Sequence, residues 1–246
     1  MGGKIECYLD LASLYSYLAF LDLRRNKPLL DAHKVEVEFH PVLLGGINAG
    51  SGNRPPWTLP AKAKYGVYDA RRSIGRHPGL QINFPDDLFS LARTQPALRA
   101  LHYIKRHYPS TTYLTAFHYL FYLFWSPPKN ADLTTAQNVA AALASVPRDF
   151  DGKPPSASSP KLFTEQEVKE IMQAAGSEEY KNILKKTTQE ALEKGAFGNP
   201  WLWVTNEKGE SEPFFGSDRF HFVYQFLGLP YRDVTLLPPG GEKAKI

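Results

Sequence analysis

A single cysteine, Cys7, occurs in 246 residues. That excludes an internal disulfide and any Cys-x-x-Cys redox pair. Cys7 falls on the apolar face of a strand pattern and reads as a small core residue. No run of 18 apolar residues exists, so no membrane span is expected. The amino terminus lacks the apolar region of a secretory leader. Internal repeats are absent. The net charge is +4, yet the basic residues are scattered, with Lys185-Lys186 the densest run. A nucleic-acid footprint needs clustering, so nucleic acid is not an expected partner; an anionic small substrate suits the charge. No Cys/His cluster offers a metal site. The length suffices for one substantial core, or for a domain with a large insertion.

What is present is organised around residues 5–20. Ile5, Cys7 and Leu9 alternate with Glu6, a strand pattern. From Tyr15 the apolar residues take helical spacing, which predicts a helix to about Asn26. Ser13 lies in the turn between, beside the first free N–H groups of the helix. Unpaired donors and the helix dipole favour an anion there. Residues 35–40 alternate again, and Pro41 stops them. Strand, helix and strand in this order form a βαβ unit with parallel strands.

Residues 46–60, with three Gly and three Pro, read as an ordered loop. The middle of the chain is helical. Thr94 is a candidate N-cap with Pro96 in the first turn. Residues 112–125 are apolar nearly all round, as in a helix buried on most sides. An Ala-rich helix over 134–144 follows, then a Pro- and Ser-rich surface loop over 147–160. Thr164 and Glu167 form a capping box for a helix through Ala174. Ser177 opens another helix, ending at Lys194 with Gly195 as its left-handed cap. Strands at 201–205 and 212–215 flank a turn at 206–209, and a last helix is expected over 218–227. The order βαβ, helical stretch, ββα describes an α/β thioredoxin-like fold interrupted by a large all-helical insertion. Residues 1–45 and 195–246 form the thioredoxin-like domain, and 46–194 the helical insertion domain.

Leu9-Asp10-Leu11-Ala12-Ser13-Leu14-Tyr15-Ser16-Tyr17-Leu18 resembles the strand–turn–helix of the kappa-class glutathione transferases and their relatives, the 2-hydroxychromene-2-carboxylate isomerases. Three more segments match in order: Ser51-Gly52-Asn53-Arg54-Pro55-Pro56, Gly195-Ala196-Phe197-Gly198-Asn199-Pro200 and Phe215-Gly216-Ser217-Asp218-Arg219. Residues 4–65 and 190–230 carry most of the resemblance. DsbA-like oxidoreductases of the same layout place Cys-x-x-Cys at the first turn. Here the turn reads Ser13-Leu14-Tyr15-Ser16, and serine cannot exchange disulfides.

The resemblance implies a glutathione site. Its serine, here Ser13, contacts the substrate sulfur. Tyr15 and Ser16 lie beside it, Ser16 as a possible second donor. Pro200 matches the family's cis-proline, which would expose the Asn199 backbone to the cysteinyl backbone of glutathione, in the manner of an added strand. Ser217 and Asp218, at the start of the last helix, would hold the γ-glutamyl carboxylate and ammonium. Asn53 and Lys62 match residues near the glycine carboxylate. Lowering the bound thiol from about 8.5 to about 6.5 would make most of it reactive at neutral pH. Three positions depart from the family pattern. Leu14 stands for a proline and should loosen the turn. Asn199 replaces an apolar residue, and its amide is a candidate extra contact. Trp201 replaces smaller residues and is expected to narrow the electrophile pocket.

The resemblance thus implies a glutathione S-transferase with Ser13 as catalytic residue. Glutathione is its substrate and no metal is required. The second substrate is a small hydrophobic electrophile such as an aryl halide or a peroxide, and the assembly a homodimer. Two alternatives stay open: a glutathione-dependent isomerase of the hydroxychromene-carboxylate type, and a non-catalytic thioredoxin-fold protein that binds peptide. Cytoplasmic, mitochondrial and peroxisomal locations are all compatible. Ala244-Lys245-Ile246 is a weak match to the carboxy-terminal Ser-Lys-Leu address.

Overall fold

The computed structural model describes residues 2–128, 130–156 and 158–232; the carboxy-terminal address match at 244–246 lies outside them. Four strands form one mixed sheet in the order β2-β1-β3-β4. They are β1 (Gly3–Leu9), β2 (Val35–Pro41), β3 (Trp201–Asn206) and β4 (Ser211–Phe215). β1 runs parallel to β2, with Cys7 opposite Phe39, and antiparallel to β3, with Cys7 opposite Leu202. β3 and β4 are antiparallel. Helix α1 (Leu14–Ala32) makes the crossover between β1 and β2. Between β2 and β3 the chain forms α2 (Leu44–Ser51), α3 (Pro60–Gly75), the short α4 (Leu88–Leu91) and α5 (Gln95–His107). It continues through α6 (Ser110–Trp125), α7 (Ala136–Ser145), α8 (Glu165–Gly176) and α9 (Glu178–Glu193). Helix α10 (Phe220–Phe226) is the last element among the described residues. The thioredoxin-like βαβ…ββα order read from the sequence is therefore observed.

One hydrophobic core unites the sheet with the inserted helices. Ile5, Cys7 and Leu9 of β1 lie in it with Leu98, Leu101 and Ile104 of α5 and Phe117, Leu120 and Phe121 of α6. Phe20 of α1 sits among Phe39, Phe117 and Phe121, at ring-centre distances of 4.9, 5.4 and 5.5 Å. Each such ring, fully buried, contributes about 2–3 kcal/mol. A smaller cluster on the opposite sheet face joins Tyr8, Val42, Ile47, Ala191, Ala196 and Trp201. Cys7 is fully buried, and burial pushes its thiol well above its ordinary value.

Several elements differ from the sequence expectation. Helix α1 passes Asn26 and runs to Ala32 with Pro28 inside it. Proline removes one rung of the helix, but Leu30 beyond it packs into the core. Residues 46–60 are not simply loop, since α2 covers most of the first half and a 3-10 turn spans Pro56–Thr58. The glycines there serve close packing. A Cβ on Gly50 would lie 2.5 Å from Leu192 of α9. At Gly52 φ is +72°, the left-handed value that ends α2. The last helix begins at Phe220 rather than 218, because Gly216, at φ +94°, carries a bend through Ser217 and Asp218.

Asp10 joins these elements just past β1. Its side chain is fully buried and accepts from Ala12 N at 3.0 Å, Leu44 N at 2.6 Å and Thr94 Oγ1 at 2.7 Å. Thr94 precedes α5, but its hydroxyl serves Asp10 instead of capping the helix. Burial raises the Asp10 carboxyl to about 6, and the donors partly offset this. Asp10→Asn would turn an amide N–H towards one of those donors and leave it unpaired. Stability at neutral pH should fall by about 2 kcal/mol. A carboxyl raised in the folded state holds its proton more tightly there than in the unfolded chain. Wild-type stability relative to Asp10→Asn should therefore decline as pH rises from about 4 through about 6. Urea unfolding across that window measures the difference; a constant value would contradict it.

Candidate functional site

The turn between β1 and α1 is held from both sides. Ser13 is the N-cap of α1, with extended backbone (φ −103°, ψ 114°). Its N–H donates to the Asp10 carbonyl at 3.1 Å, and its Oγ accepts from Ser16 N at 3.1 Å. The Ser13 hydroxyl donates to the Asn199 carbonyl at 3.1 Å, across 186 residues of chain. The Asn199–Pro200 peptide bond is cis. Pro200 passes the constraint on, since its carbonyl accepts from Gly216 N at 3.2 Å. Gly216 in turn precedes Ser217. Three separate segments thus meet at one place: the first turn, the residues before β3 and the bend after β4.

Ser13 is 7% exposed, and Ser16 is fully buried with no partner for its hydroxyl. Ser217 is 1% exposed, and its Oγ also lacks a partner. Asp218 is exposed and pairs with Arg219 Nε at 3.4 Å. Since α10 starts beyond both, the expected helix-start cradle at Ser217 and Asp218 is replaced by a non-helical bend. Asn53 Nδ2 donates to the Phe197 carbonyl at 2.6 Å, which ties the loop after α2 to the approach to Pro200. Lys62 is exposed in the first turn of α3. No bond links Lys62 or Asp218 to the Ser13 turn among the described residues.

Two of the departures also resolve. Asn199 is buried, and its amide faces inward. With Oδ1 towards Asp10 N at 3.2 Å, its Nδ2 donates to the Gly198 carbonyl at 3.0 Å. The amide is thus taken up by Gly198 and Asp10, and the main-chain carbonyl faces Ser13. Trp201 is 4% exposed within the small core cluster, so it does not narrow an opening near Ser13. The apolar surface beside Pro200 comes from Phe197 and Phe215, each 42% exposed, with rings 4.6 Å apart. A crevice of about 590 Å³ between β4 and α10 shares Phe215 with this surface and is lined also by Phe214, Phe222 and Phe226.

Sequence reasoning missed Asp69 and Arg76, both of α3 or its end. The Tyr15 hydroxyl donates to Asp69 Oδ2 at 2.7 Å, and burial with that carboxylate pushes its phenol well up. Arg76 donates from Nη1 to the Ser217 carbonyl at 2.9 Å and from Nη2 to Asp22 Oδ2 at 3.0 Å. Asp22 is buried in α1, and also pairs with Arg25. The usable signal was Asp22, an acidic residue between Leu21 and Leu23 in the part of α1 that packs into the core.

Glu6, Glu38 and His40 alone have metal-ligand spacing among the described residues, their donor atoms lying within 4.8 Å. Lysines already serve those oxygens: Lys4 and Lys105 on Glu38, Lys194 on Glu6. Burial and the neighbouring lysine hold His40 down to about 3, so its ring is neutral.

A family model described as a DsbA-like thioredoxin domain matches residues 4–167. The chain is 29% identical over 227 residues to glutathione S-transferase kappa 1 of Homo sapiens, covering 91% of this chain and 90% of that one. It is 27% identical over 239 residues to glutathione S-transferase kappa 1 of Caenorhabditis elegans, covering 92% of each. Among solved structures, a 2-hydroxychromene-2-carboxylate isomerase superposes with a TM-score of 0.64 at 18% identity, over 92% of this chain and 94% of that one. A putative protein disulfide isomerase from Nitrosomonas europaea gives 0.60 at 15% identity, over 93% and 97%. These two likenesses concern the fold.

Arg76 is the link whose removal should loosen the Ser217 bend, while Arg25 still serves the buried Asp22. Arg76→Gln should cost about 2 kcal/mol of stability, since a hydrogen bond to a charged group is lost. It should also speed amide exchange at residues 216–219, with exchange in β1 unchanged. Equal protection of the bend in both proteins would rule out the link.

Proposed function

The chain belongs to the DsbA-like thioredoxin-domain family, and we propose that within it this protein is a glutathione transferase rather than a disulfide exchanger. The observation that carries this reading is the Ser13 hydroxyl, at the start of the 19-residue α1 and against the Asn199 carbonyl. Where disulfide exchange needs a cysteine, the turn holds serine, and Cys7 is buried in the sheet. The two curated relatives named glutathione S-transferase kappa support the same substrate.

In this reading the sulfur is brought by glutathione. Its thiol loses a proton to solvent on binding, and the thiolate rests on the Ser13 hydroxyl and the free N–H groups of α1. The thiolate attacks an electrophilic carbon; the S–C bond forms as the carbon–halogen bond breaks and halide leaves. Holding both reactants side by side supplies further acceleration. Asn199 offers its main chain to the cysteinyl unit. The Ser217 hydroxyl, buried and without a partner, and Asp218 suit the γ-glutamyl end. Asn53 and Lys62 suit the glycine end, with Tyr15 and Ser16 flanking the sulfur. Phe197 and Phe215 offer an apolar face for a hydrophobic second substrate.

Ser13→Gly tests the hydroxyl, since glycine is tolerated at an N-cap with little loss of stability. A hydrogen bond to a charged group is worth about 1.5–3 kcal/mol. Conjugation of glutathione to an aryl halide should therefore slow by about 10- to 100-fold at neutral pH, while the bound thiol titrates about one to two units higher. Unchanged turnover together with an unchanged thiol titration would defeat the role given to Ser13. Calorimetry that found no saturable glutathione binding by wild type would defeat the substrate.

A further inference from the structure

The hydrogen-bond inventory at the first turn sets a condition on which thiols can be ionised there. A serine hydroxyl has one proton to donate. In the free protein that proton goes to the Asn199 carbonyl, and the Ser13 oxygen already accepts from Ser16 N. Both Ser13 and Asn199 are buried, at 7% and 6% exposure. For the hydroxyl to serve a thiolate it must leave Asn199. A buried carbonyl stripped of its donor costs about as much as the new bond returns.

The Ser16 and Ser217 hydroxyls are without a partner and bond to no acceptor, the Asn199 carbonyl included; three other nearby donors are already engaged. Gly216 N is held by the Pro200 carbonyl and Asn53 Nδ2 by the Phe197 carbonyl. The Asn199 amide is turned to Gly198 and Asp10. The replacement donor must therefore arrive with the ligand.

Resting on the glutathione reading above, we infer that the amide N–H of the substrate's own cysteinyl unit displaces the Ser13 hydroxyl from the Asn199 carbonyl and so releases it to the sulfur. The exchange moves one proton by rotation about the Cβ–Oγ bond and no heavy atom. Recognition of the peptide backbone and ionisation of the thiol become one event. A bare thiol, lacking an adjacent N–H, occupies the sulfur position without freeing the hydroxyl and stays protonated. Ser13 is then a residue that selects peptidic thiols as well as one that stabilises a thiolate.

Asn199–Pro200 is the one Asn–Pro pair in the chain, so labelling Asn carbonyl carbon and Pro nitrogen gives a single resonance for the Asn199 carbonyl. In the free protein, Ser13→Gly should shift that resonance, because it removes the donor. With glutathione saturating, wild type and Ser13→Gly should give the same resonance, because the ligand N–H is now the donor in both. An equal displacement with and without glutathione would show the hydroxyl still on Asn199, and the inference falls.

A second measurement uses a glutathione analogue whose cysteinyl N–H is replaced by an ester oxygen. Thiolate absorbance against pH should place bound glutathione at least about one unit below the solution value near 8.5, and the bound ester close to that value. An ester ionised as readily as glutathione overturns the exchange but leaves the transferase reading standing. Glutathione that binds without any lowering of its thiol overturns both.

Discussion

A fully buried carboxylate, Asp10, holds the end of β1, the start of α2 and the start of α5 to one point. Desolvation of such a charge opposes folding, and three donors at 2.6–3.0 Å partly offset it. The donors come from residues 2, 34 and 84 positions away. Local and distant chain are therefore fixed by the same group. Its main chain fixes the rest, since the Asp10 carbonyl takes Ser13 N and its N–H faces the Asn199 amide. The Ser13 turn and the strand approach before Pro200 are both tied to the backbone of this one residue.

Magnitudes decide what that turn contributes to a bound sulfur. A helix start favours an anion by about 0.3–1 kcal/mol. Lowering a thiol by two units requires about 2.8 kcal/mol. The helix alone falls short, and a hydroxyl donating to a charged group, at about 1.5–3 kcal/mol, closes the gap. The hydroxyl therefore dominates, and its availability matters more than the dipole behind it. That is why its present engagement with Asn199 has chemical weight.

The parts of this arrangement that were legible in the sequence are those set by local chemistry. Alternation revealed β1 and β2, and the capping box at Thr164 and Glu167 formed as read. The place of Ser13 in the turn at the helix start followed from its position between a strand and a helical repeat, and there it caps α1. What stayed hidden depends on distant partners. Thr94 looked like a cap, but Asp10, far back in the chain, claims its hydroxyl. Gly46 and Gly50 looked like loop residues, though their lack of a side chain lets α2 approach Thr188 and Leu192 of α9. Asp218 looked like the first residue of a helix, yet the positive φ of Gly216 sends the chain through a bend before α10 can begin. Asp69 and Arg76 carried no sign of their roles, because their partners lie 54 and 141 residues away.

Those two residues explain how the site combines a fixed half with an adjustable one. The β1–α1 turn is built on Asp10 and sits in the main core. Helix α3 is different: of its 16 residues only Ala70 and Ser73 are buried. Polar links fasten it instead, Tyr15 to Asp69 near the Ser13 turn and Arg76 to Asp22 and Ser217 further along. Partly exposed polar bonds cost little to break and remake, whereas a packed core moves only as a unit. The wall that α3 and the Ser217 bend provide can thus shift around a ligand without disturbing the residues that would ionise it. In the glutathione reading, Ser13, Tyr15 and Ser16 would sit on the rigid part and Lys62, Ser217 and Asp218 on the loosely tied part, which separates precision at the reacting atom from tolerance along the rest of the ligand.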